Sequence, residues 1–185
     1  MSYNAARAKV EATVFITPWG VESIGPVLNN ALMPVVTPAS TAWPVNNKAF
    51  YIPFVLAKSA TVLKLFWANG ATVAGTNNID VGIYDASGNR LVSTGSTAQG
   101  TASIVQEVDV TDTILGRGQY FLAMSCSNTA ATFSLSSSST TQVGRLIGIL
   151  EQTSALPLPN PATLAVCSAT FVVPQFGAAL RTLAA

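Results

Sequence analysis

The chain has 185 residues, and only 9% of them are charged, against about a quarter in a typical soluble domain. Nine scattered basic and eight acidic residues give a net charge of +1, which argues against nucleic acid as the main partner because phosphate binding needs clustered lysine and arginine. No stretch of about 18 consecutive apolar residues occurs, so no membrane span is predicted.

The low charge predicts a protein that assembles with other subunits. A surface with so few ions repels its neighbours weakly and is easily buried. The alternative is a secreted β protein with a neutral surface rich in serine and threonine. Residues 1–9 contain no continuous apolar run, so no signal peptide is expected.

Residues 1–47 predict an extended, proline-rich arm. Each proline fixes its own backbone and pushes its predecessor toward extended conformations. Linkers that stay disordered are normally poor in aromatic and branched apolar residues, whereas this stretch is rich in them, so it must lie on its own domain or on a neighbouring subunit. The candidate assembly anchors are Trp19, Ile24, Leu28, Leu32 and Trp43.

Residues 48–185 predict one antiparallel β-sandwich domain, jelly-roll-like in class. Apolar and polar residues alternate in short runs with regular turn signals, and helical periodicity is absent from 48–136. The predicted strands are 50–56, 61–67, 79–84, 90–94, 104–110, 120–126 and 133–135. Two later strands, 143–150 and 169–176, flank a proline-rich crossing at 156–161.

Three local features of this domain carry their own predictions. Residues 85–89 supply the turn of a β-hairpin. Pro53 marks an edge or bulged strand. Tyr120 enters its strand just after two glycines, which is typical of a tyrosine corner; an ordinary core tyrosine is the other interpretation.

The sequence offers little for catalysis, and we expect no catalytic, metal or cofactor site. It has no histidine, which removes histidine-based triads and nearly all zinc sites. The acidic residues of the strand region, including Asp80, Glu107 and Asp109, are expected in turns or on solvated faces. Catalysis by a carboxylate pair such as Asp80 and Glu107, and calcium binding around Asp85, are weaker alternatives.

The two cysteines and Trp67 carry predictions about redox state and sugar binding. Cys126 and Cys167 are expected to be buried reduced thiols, although a bridge between them stays open. Trp67 lies at a strand end and is the candidate for stacking on a sugar, but its alternation with Leu63 and Leu65 favours the core.

Residues 48–177 contain four motifs of turns and core strands: ATVLKLFWANG at 60–70, IDVGIYDASGNRLV at 79–92, LGRGQYFL at 115–122 and FVVPQFG at 171–177. On these motifs this part of the chain resembles β-rich virion proteins of tailed bacteriophages. The resemblance implies a jelly-roll-like sandwich, commonly homotrimeric, at the particle surface or in the tail. It carries over no catalytic or binding residue.

Together these observations predict a non-enzymatic structural protein of a virion, assembled in the host cytoplasm. It would be a capsid decoration (cement) protein or a tail or fibre subunit. The expected partners are its own copies, as a trimer, and other virion proteins such as a major capsid or tail protein. The alternative is a carbohydrate-binding module that recognises a host-surface glycan; an enzyme is the third possibility.

Overall fold

The computed structural model describes residues 13–16, 40–137, 145, 148–168 and 173–182. This part of the chain contains fourteen strands: β1 (Thr13–Ile16), β2 (Ser40–Ala42), β3 (Ala49–Leu56), β4 (Ala60–Ala68), β5 (Asn78–Asp85), β6 (Arg90–Ser93), β7 (Thr97–Ala98), β8 (Val105–Leu115), β9 (Gly118–Cys126), β10 (Thr132–Ser137), β11 (Leu150–Gln152), β12 (Ala165–Val166), β13 (Val173–Pro174) and β14 (Phe176–Thr182).

The described strands form three sheets, and all their pairings are antiparallel. A four-stranded sheet has the order β1-β14-β4-β8, and a seven-stranded sheet has the order β12-β11-β3-β9-β5-β6 with β7 also on β5. A three-stranded sheet, β13-β10-β2, completes the set. The long strands β3, β4, β5, β8 and β9 alternate between the two larger sheets, so each connection crosses from one to the other.

The core lies between the two larger sheets, as alternation in their strands requires. Leu65, Trp67 and Phe176 enter it from the four-stranded sheet, and Phe50 and Ile83 enter it from the seven-stranded sheet. One face of each strand therefore builds a shared apolar layer, and the predicted all-β sandwich is confirmed.

A second apolar cluster lies on the outer face of the seven-stranded sheet. Residues 153–164, hereafter the strap, cross this face without forming a strand. Ala155 and Leu158 of the strap pack with Tyr51, Tyr84 and Phe121 of the sheet. The predicted proline-rich crossing at 156–161 thus covers a sheet face that alternation alone would leave in water.

The local predictions in the strand region are largely confirmed. Asp85 accepts backbone hydrogen bonds from Ser87 and Asn89 in the β5–β6 turn, each at 2.9 Å. The Tyr120 hydroxyl donates to the Gly116 carbonyl at 2.9 Å, so Tyr120 forms the tyrosine corner. Pro53 lies beyond the part of β3 that pairs with β11. Its lack of an N–H therefore costs no hydrogen bond between these two strands.

Among the described residues, two predicted strands begin later than expected. The strand predicted from residue 104 begins at Val105; Ile104 precedes it, is 47% exposed, and accepts the Asn69 N–H with its carbonyl. Of the strand predicted at 143–150, residues 143–144 and 146–147 lie outside the described residues. Arg145 is helical and Gly148 has a φ of 77° in a turn, so among the described residues strand pairing begins only at Leu150. The strand predicted at 169–176 lies partly outside the described residues.

The predicted domain boundary at residue 47 lies too far along the chain. Strand β2 pairs with β10, and Trp43 is buried in the sandwich core, so residues 40–47 belong to the domain. Strand β1 extends the four-stranded sheet by pairing with β14. The described parts of the predicted arm therefore contribute strands to the domain.

Candidate assembly surface

Trp67 is not available to stack on a sugar. Its side chain is fully buried between the sheets, and its indole N–H donates to Asn69 Oδ1 at 2.9 Å. The alternation with Leu65 decides the orientation, since β4 turns this face toward the core. The sugar-stacking role proposed for Trp67 is therefore wrong.

The hydrogen bond from Trp67 is one member of a polar network that ties together the loops at one end of the sandwich. Asn69 Oδ1 also accepts from Gln99 Nε2 at 3.1 Å, and Asn69 Nδ2 donates to the Thr101 carbonyl at 2.9 Å. Gln99 Oε1 accepts in turn from Asn77 Nδ2 at 3.1 Å. Because these amides are buried and hydrogen-bonded to one another, their role is to hold the loops together and not to bind a ligand.

Trp43 anchors its own domain and not a neighbouring subunit. It is 1% exposed, its ring centroid lies 5.4 Å from that of Phe50 and 5.6 Å from that of Phe133, and its N–H donates to the Lys48 carbonyl at 3.0 Å. The short β2 strand holds it there, which corrects the prediction for this residue. The other predicted anchors lie outside the described residues: Trp19, Ile24, Leu28 and Leu32.

A buried ion pair joins the start of β3 to β11. Lys48 Nζ lies 3.0 Å from Glu151 Oε2, and both side chains are almost fully enclosed. Ser168 donates its hydroxyl to Glu151 Oε1 at 2.6 Å. Burial tends to raise the pKa of Glu151, but these hydrogen bonds and the Lys48 charge outweigh it and hold the pKa below its usual value.

Polar side chains of the seven-stranded sheet clamp the strap. Asp80 Oδ2 accepts the Leu158 N–H at 2.9 Å, and the Tyr84 hydroxyl donates to the Pro159 carbonyl at 2.6 Å. The Arg90 guanidinium donates to the Leu158 carbonyl. Burial raises the pKa of Tyr84, so this phenol remains a neutral donor at physiological pH.

The acidic residues divide into one buried and several exposed groups. Asp80 was expected on a solvated face but is buried, because the strap covers that face, and its burial raises the pKa of the carboxyl. Glu107 and Asp109 are exposed as predicted, and both lie near Lys64 Nζ, at 3.0 Å and 3.6 Å. Asp80 and Glu107 belong to different sheets of the sandwich and so form no catalytic pair.

The Asp85 carboxylate, the candidate calcium ligand, is hydrogen-bonded within its own turn. Asp85 accepts three hydrogen bonds from the turn, including one from Asn89 Nδ2 at 2.8 Å, and these lower its pKa. In the described part of the chain no three histidine, cysteine or acidic side chains come together as metal ligands would. Cys126 and Cys167 are both buried and no disulfide joins them, so the interpretation as reduced thiols is confirmed and the alternative of a bridge between them is wrong.

Exposed apolar side chains occur on both larger sheets, with Val105 and Ile114 on β8 of the four-stranded sheet and a second pair on the seven-stranded sheet. Val55 is 67% exposed and Val166 is 63% exposed, and both lie on the outer face of the seven-stranded sheet beside the strap. Leu150 and Pro53, both half-buried, lie between them. We call Pro53, Val55, Leu150 and Val166 the outer-face patch.

The sequence contained only an ambiguous signal for the outer-face patch. Strand β3 is apolar from Ala49 to Leu56, and such a run indicates either a strand covered on both faces or one with an apolar face left free. In the structure the strap covers Tyr51 but does not reach Val55. Alternation in β3 shows which residues share a face, but it does not show how far along that face the strap extends.

Comparison with known proteins assigns the chain to no group. No protein-family model matches it, and no curated protein matches it. Within the described residues, no helix has the length and apolar character needed to cross a membrane.

Proposed function

We propose that this protein is a non-enzymatic structural protein of a virion, assembling as a homo-oligomer, a trimer, on the particle. Its place would be that of a capsid decoration protein or a tail or fibre subunit, in contact with a major capsid or tail protein. The resemblance of residues 48–177 to virion proteins of tailed bacteriophages suggests the particle. The assembly role is supported by the chemistry of the surface.

The outer-face patch is the observation that carries the assembly role. Val55 and Val166 present β-branched side chains to solvent on a sheet face that the strap covers only in part. Single exposed apolar residues are ordinary on monomers, but a group beside a covered apolar cluster is typical of an interaction site. A second subunit packed there would complete the cover that the strap begins.

The composition supports the same role. A chain with 9% charged residues and a net charge of +1 has little electrostatic repulsion between copies. Residues 17–39 add four prolines and several large apolar side chains with a single ionisable residue, Glu22. Such a segment is suited to an extended contact, which buries a large area per residue on a partner.

The carbohydrate-binding alternative has lost its candidate residue. Trp67 is buried and bonded to Asn69, and no aromatic side chain of the described residues is among the exposed apolar groups. Stacking on a sugar requires an accessible ring face. The described surface therefore favours protein contacts over glycan contacts.

The assembly role is tested on the full chain in solution. Light scattering coupled to size exclusion, over a hundredfold range of concentration, should give the mass of an oligomer. A variant carrying Trp19→Ser, Ile24→Ser, Leu28→Ser and Leu32→Ser should shift toward the monomer, whereas Asn29→Ser with Asn30→Ser, a change of polar residues in the same segment, should not. A wild-type chain that stays monomeric throughout contradicts the proposal.

The virion location has its own test. Particles of the virus that encodes the chain should contain its peptides in a fixed ratio to the major capsid protein after density-gradient purification. Labelling with an antibody to the chain should then distinguish capsid from tail in electron micrographs. Recovery of the chain only from the particle-free fraction would exclude the virion role while leaving self-assembly open.

A further inference from the structure

The outer-face patch has the form of a continuous strip. Register places Val166 opposite Leu150 and Leu150 opposite Tyr51, so one row of side chains runs from the edge strand β12 to β3. Pro53 and Val55 follow Tyr51 at every second position of β3 and therefore share its face. The strip runs diagonally from Val166 to Val55.

The strap covers this strip at Tyr51 and leaves its two ends open. Leu158 and the other apolar strap residues pack over Tyr51, Tyr84 and Phe121, whereas Val55 pairs with Gln119, which is exposed as well. The two ends of the strip, Val55 and Val166, keep about two thirds of their surface in solvent. No residue of the strip is ionisable, so an occupant with uncharged apolar side chains fits it.

The length of the strip matches an extended segment of chain. Two strand spacings of about 4.8 Å and four residues of about 3.3 Å put Val55 roughly 16 Å from Val166. An extended peptide covers that distance in about five residues. Residues an even number of positions apart share one face of an extended segment. Ile24, Leu28 and Leu32 recur at every fourth position and so would face the strip together, whereas Trp19, five positions before Ile24, would face away from it.

The chain outside the described residues is long enough to reach a neighbour. Residues 17–39 connect Ile16 at the end of β1 to Ser40 at the start of β2, so both ends are held on the donating domain. The 23 residues are about 75–80 Å long when extended, and as a loop they reach outward by roughly half of that. Four prolines restrict this segment toward extended conformations. Less conformational entropy is therefore lost when it docks than for a flexible segment.

We propose that the outer-face patch binds residues 17–39 of a second copy of this chain. This inference rests on the proposed assembly function and names the contact that it uses. Val55 and Val166 receive apolar side chains of the arriving segment, and its prolines keep it extended across β3, β11 and β12. Each copy donates one segment and receives one, so in the proposed trimer the contact is head-to-tail and closes after three copies.

The patch is tested with a matched pair of double variants of the full chain. Val55→Ser with Val166→Ser removes the two exposed ends of the strip. Val105→Ser with Ile114→Ser removes as many exposed apolar side chains from β8 of the four-stranded sheet and serves as the control. Sedimentation equilibrium should show self-association at least tenfold weaker for the patch variant and within twofold of wild type for the control.

Disulfide trapping identifies the occupant. A chain with Val55→Cys is mixed with an isotopically labelled chain with Leu28→Cys and oxidised; the natural cysteines are buried and do not compete. The proposal expects a disulfide between labelled and unlabelled copies. If a chain carrying both changes forms the bond only within itself, the segment covers its own domain and the proposal is overturned.

The two proposals fail in different ways. If the wild-type chain forms an oligomer, yet the patch variant associates as strongly as wild type and no disulfide is trapped between copies, assembly stands and the patch contact is overturned. If the wild-type chain is a monomer at every concentration, the assembly function itself fails and takes this inference with it.

Discussion

Lys48 Nζ lies 3.0 Å from Glu151 Oε2, and 103 residues separate the two along the chain. Lys48 is 4% exposed and Glu151 is 6% exposed, so both charges have given up most of their hydration. The ammonium also lies 5.9 Å from the centroid of the Phe50 ring. The pair fastens β11, and through it the strap, to the start of β3.

Removing one partner of this pair should destabilise the protein strongly. Lys48→Met leaves the Glu151 carboxylate buried without its counter-charge, and loss of one partner of a buried pair typically costs about 3–5 kcal/mol. The free energy of unfolding, measured by urea titration at pH 7, should fall by this amount.

The double variant Lys48→Met with Glu151→Leu is the control for this prediction. Replacing both charges by apolar groups of similar size leaves no buried ion, so stability should recover to within about 1–2 kcal/mol of wild type. If the double variant is as unstable as the single one, packing rather than the orphaned charge explains the loss.

The same carboxyl should contribute to acid unfolding. The pKa of Glu151 in the folded protein lies below its usual value of 4.5, so on acidification the unfolded chain takes up this proton first. The free energy of unfolding should therefore fall as the pH drops below about 4.5 and through the folded pKa. Glu151→Gln should make this acid limb shallower in urea titrations between pH 3 and pH 7, and an unchanged slope would contradict the assignment.

Asp80 should show the opposite dependence on pH. Burial raises its pKa above the usual 3.8, even though hydrogen bonds from Leu158 and Thr94 oppose that rise. The folded state thus holds this proton more tightly, and its contribution to stability is lost as the pH rises from about 3.8 through the folded pKa. In Asp80→Asn this loss should disappear, which a comparison of the two proteins across that pH window can measure.

The hydrogen bond from the Leu158 N–H to Asp80 provides a second test. Asp80→Asn keeps an oxygen for the Leu158 N–H and should stay within about 1 kcal/mol of wild type at pH 7. Asp80→Ala leaves that N–H without its acceptor under the strap and should cost about 1–3 kcal/mol. Hydrogen exchange of the Leu158 amide should accelerate in Asp80→Ala alone; equal exchange in both variants would show that the carboxyl does not hold the strap.

The strands were predictable because their signal is local. Alternation of apolar and polar residues over a few positions fixes which face is buried, as at Ile79, Val81 and Ile83, and the Asx and glycine residues after Tyr84 fix the turn. Tyr120 was predictable for the same reason, since its partner Gly116 lies four residues upstream.

The positions that were mispredicted depend on contacts distant in sequence. Asp80 does point away from the core, as alternation indicates, but the strap that buries it arrives from 78 residues away. No local sequence pattern around Lys48 or Glu151 predicts that these two residues pair, because they are 103 positions apart. Trp43 stands among prolines that indicate an extended arm, yet the pairing of β2 with β10 returns it to the core.

The tyrosine corner should make a modest contribution to stability. Tyr120→Phe removes the hydrogen bond to the Gly116 carbonyl but keeps the ring, whose centroid lies 5.7 Å from that of Phe54 in a stacked arrangement. The free energy of unfolding should fall by about 0.5–1.5 kcal/mol. Tyr120→Ala, which also removes the ring, should lose clearly more, and equal losses would mean that the hydroxyl alone matters.

Gly70 should tolerate no side chain, although its backbone is not in the left-handed region that favours glycine. A Cβ at this position would lie 2.5 Å from Thr132 Oγ1 and 2.8 Å from the Thr132 carbonyl carbon, and it would also collide with the Ser40 hydroxyl. The backbone cannot rotate away, because the Gly70 N–H donates to the Thr132 carbonyl at 2.8 Å. Gly70→Ala should therefore cost about 1–3 kcal/mol by overpacking and loosen the contact of β2 with β10.

Gly75, five residues further along the same loop, is the matched control for Gly70. It is exposed, and a Cβ there would meet nothing within 4 Å. Gly75→Ala should leave the free energy of unfolding unchanged or raise it by about 0.4–1 kcal/mol, because alanine restricts the unfolded chain. Thermal and urea unfolding of the two variants should therefore shift in opposite directions or by clearly different amounts. If Gly70→Ala is as stable as Gly75→Ala, the close approach of β2, Gly70 and β10 does not exist in solution.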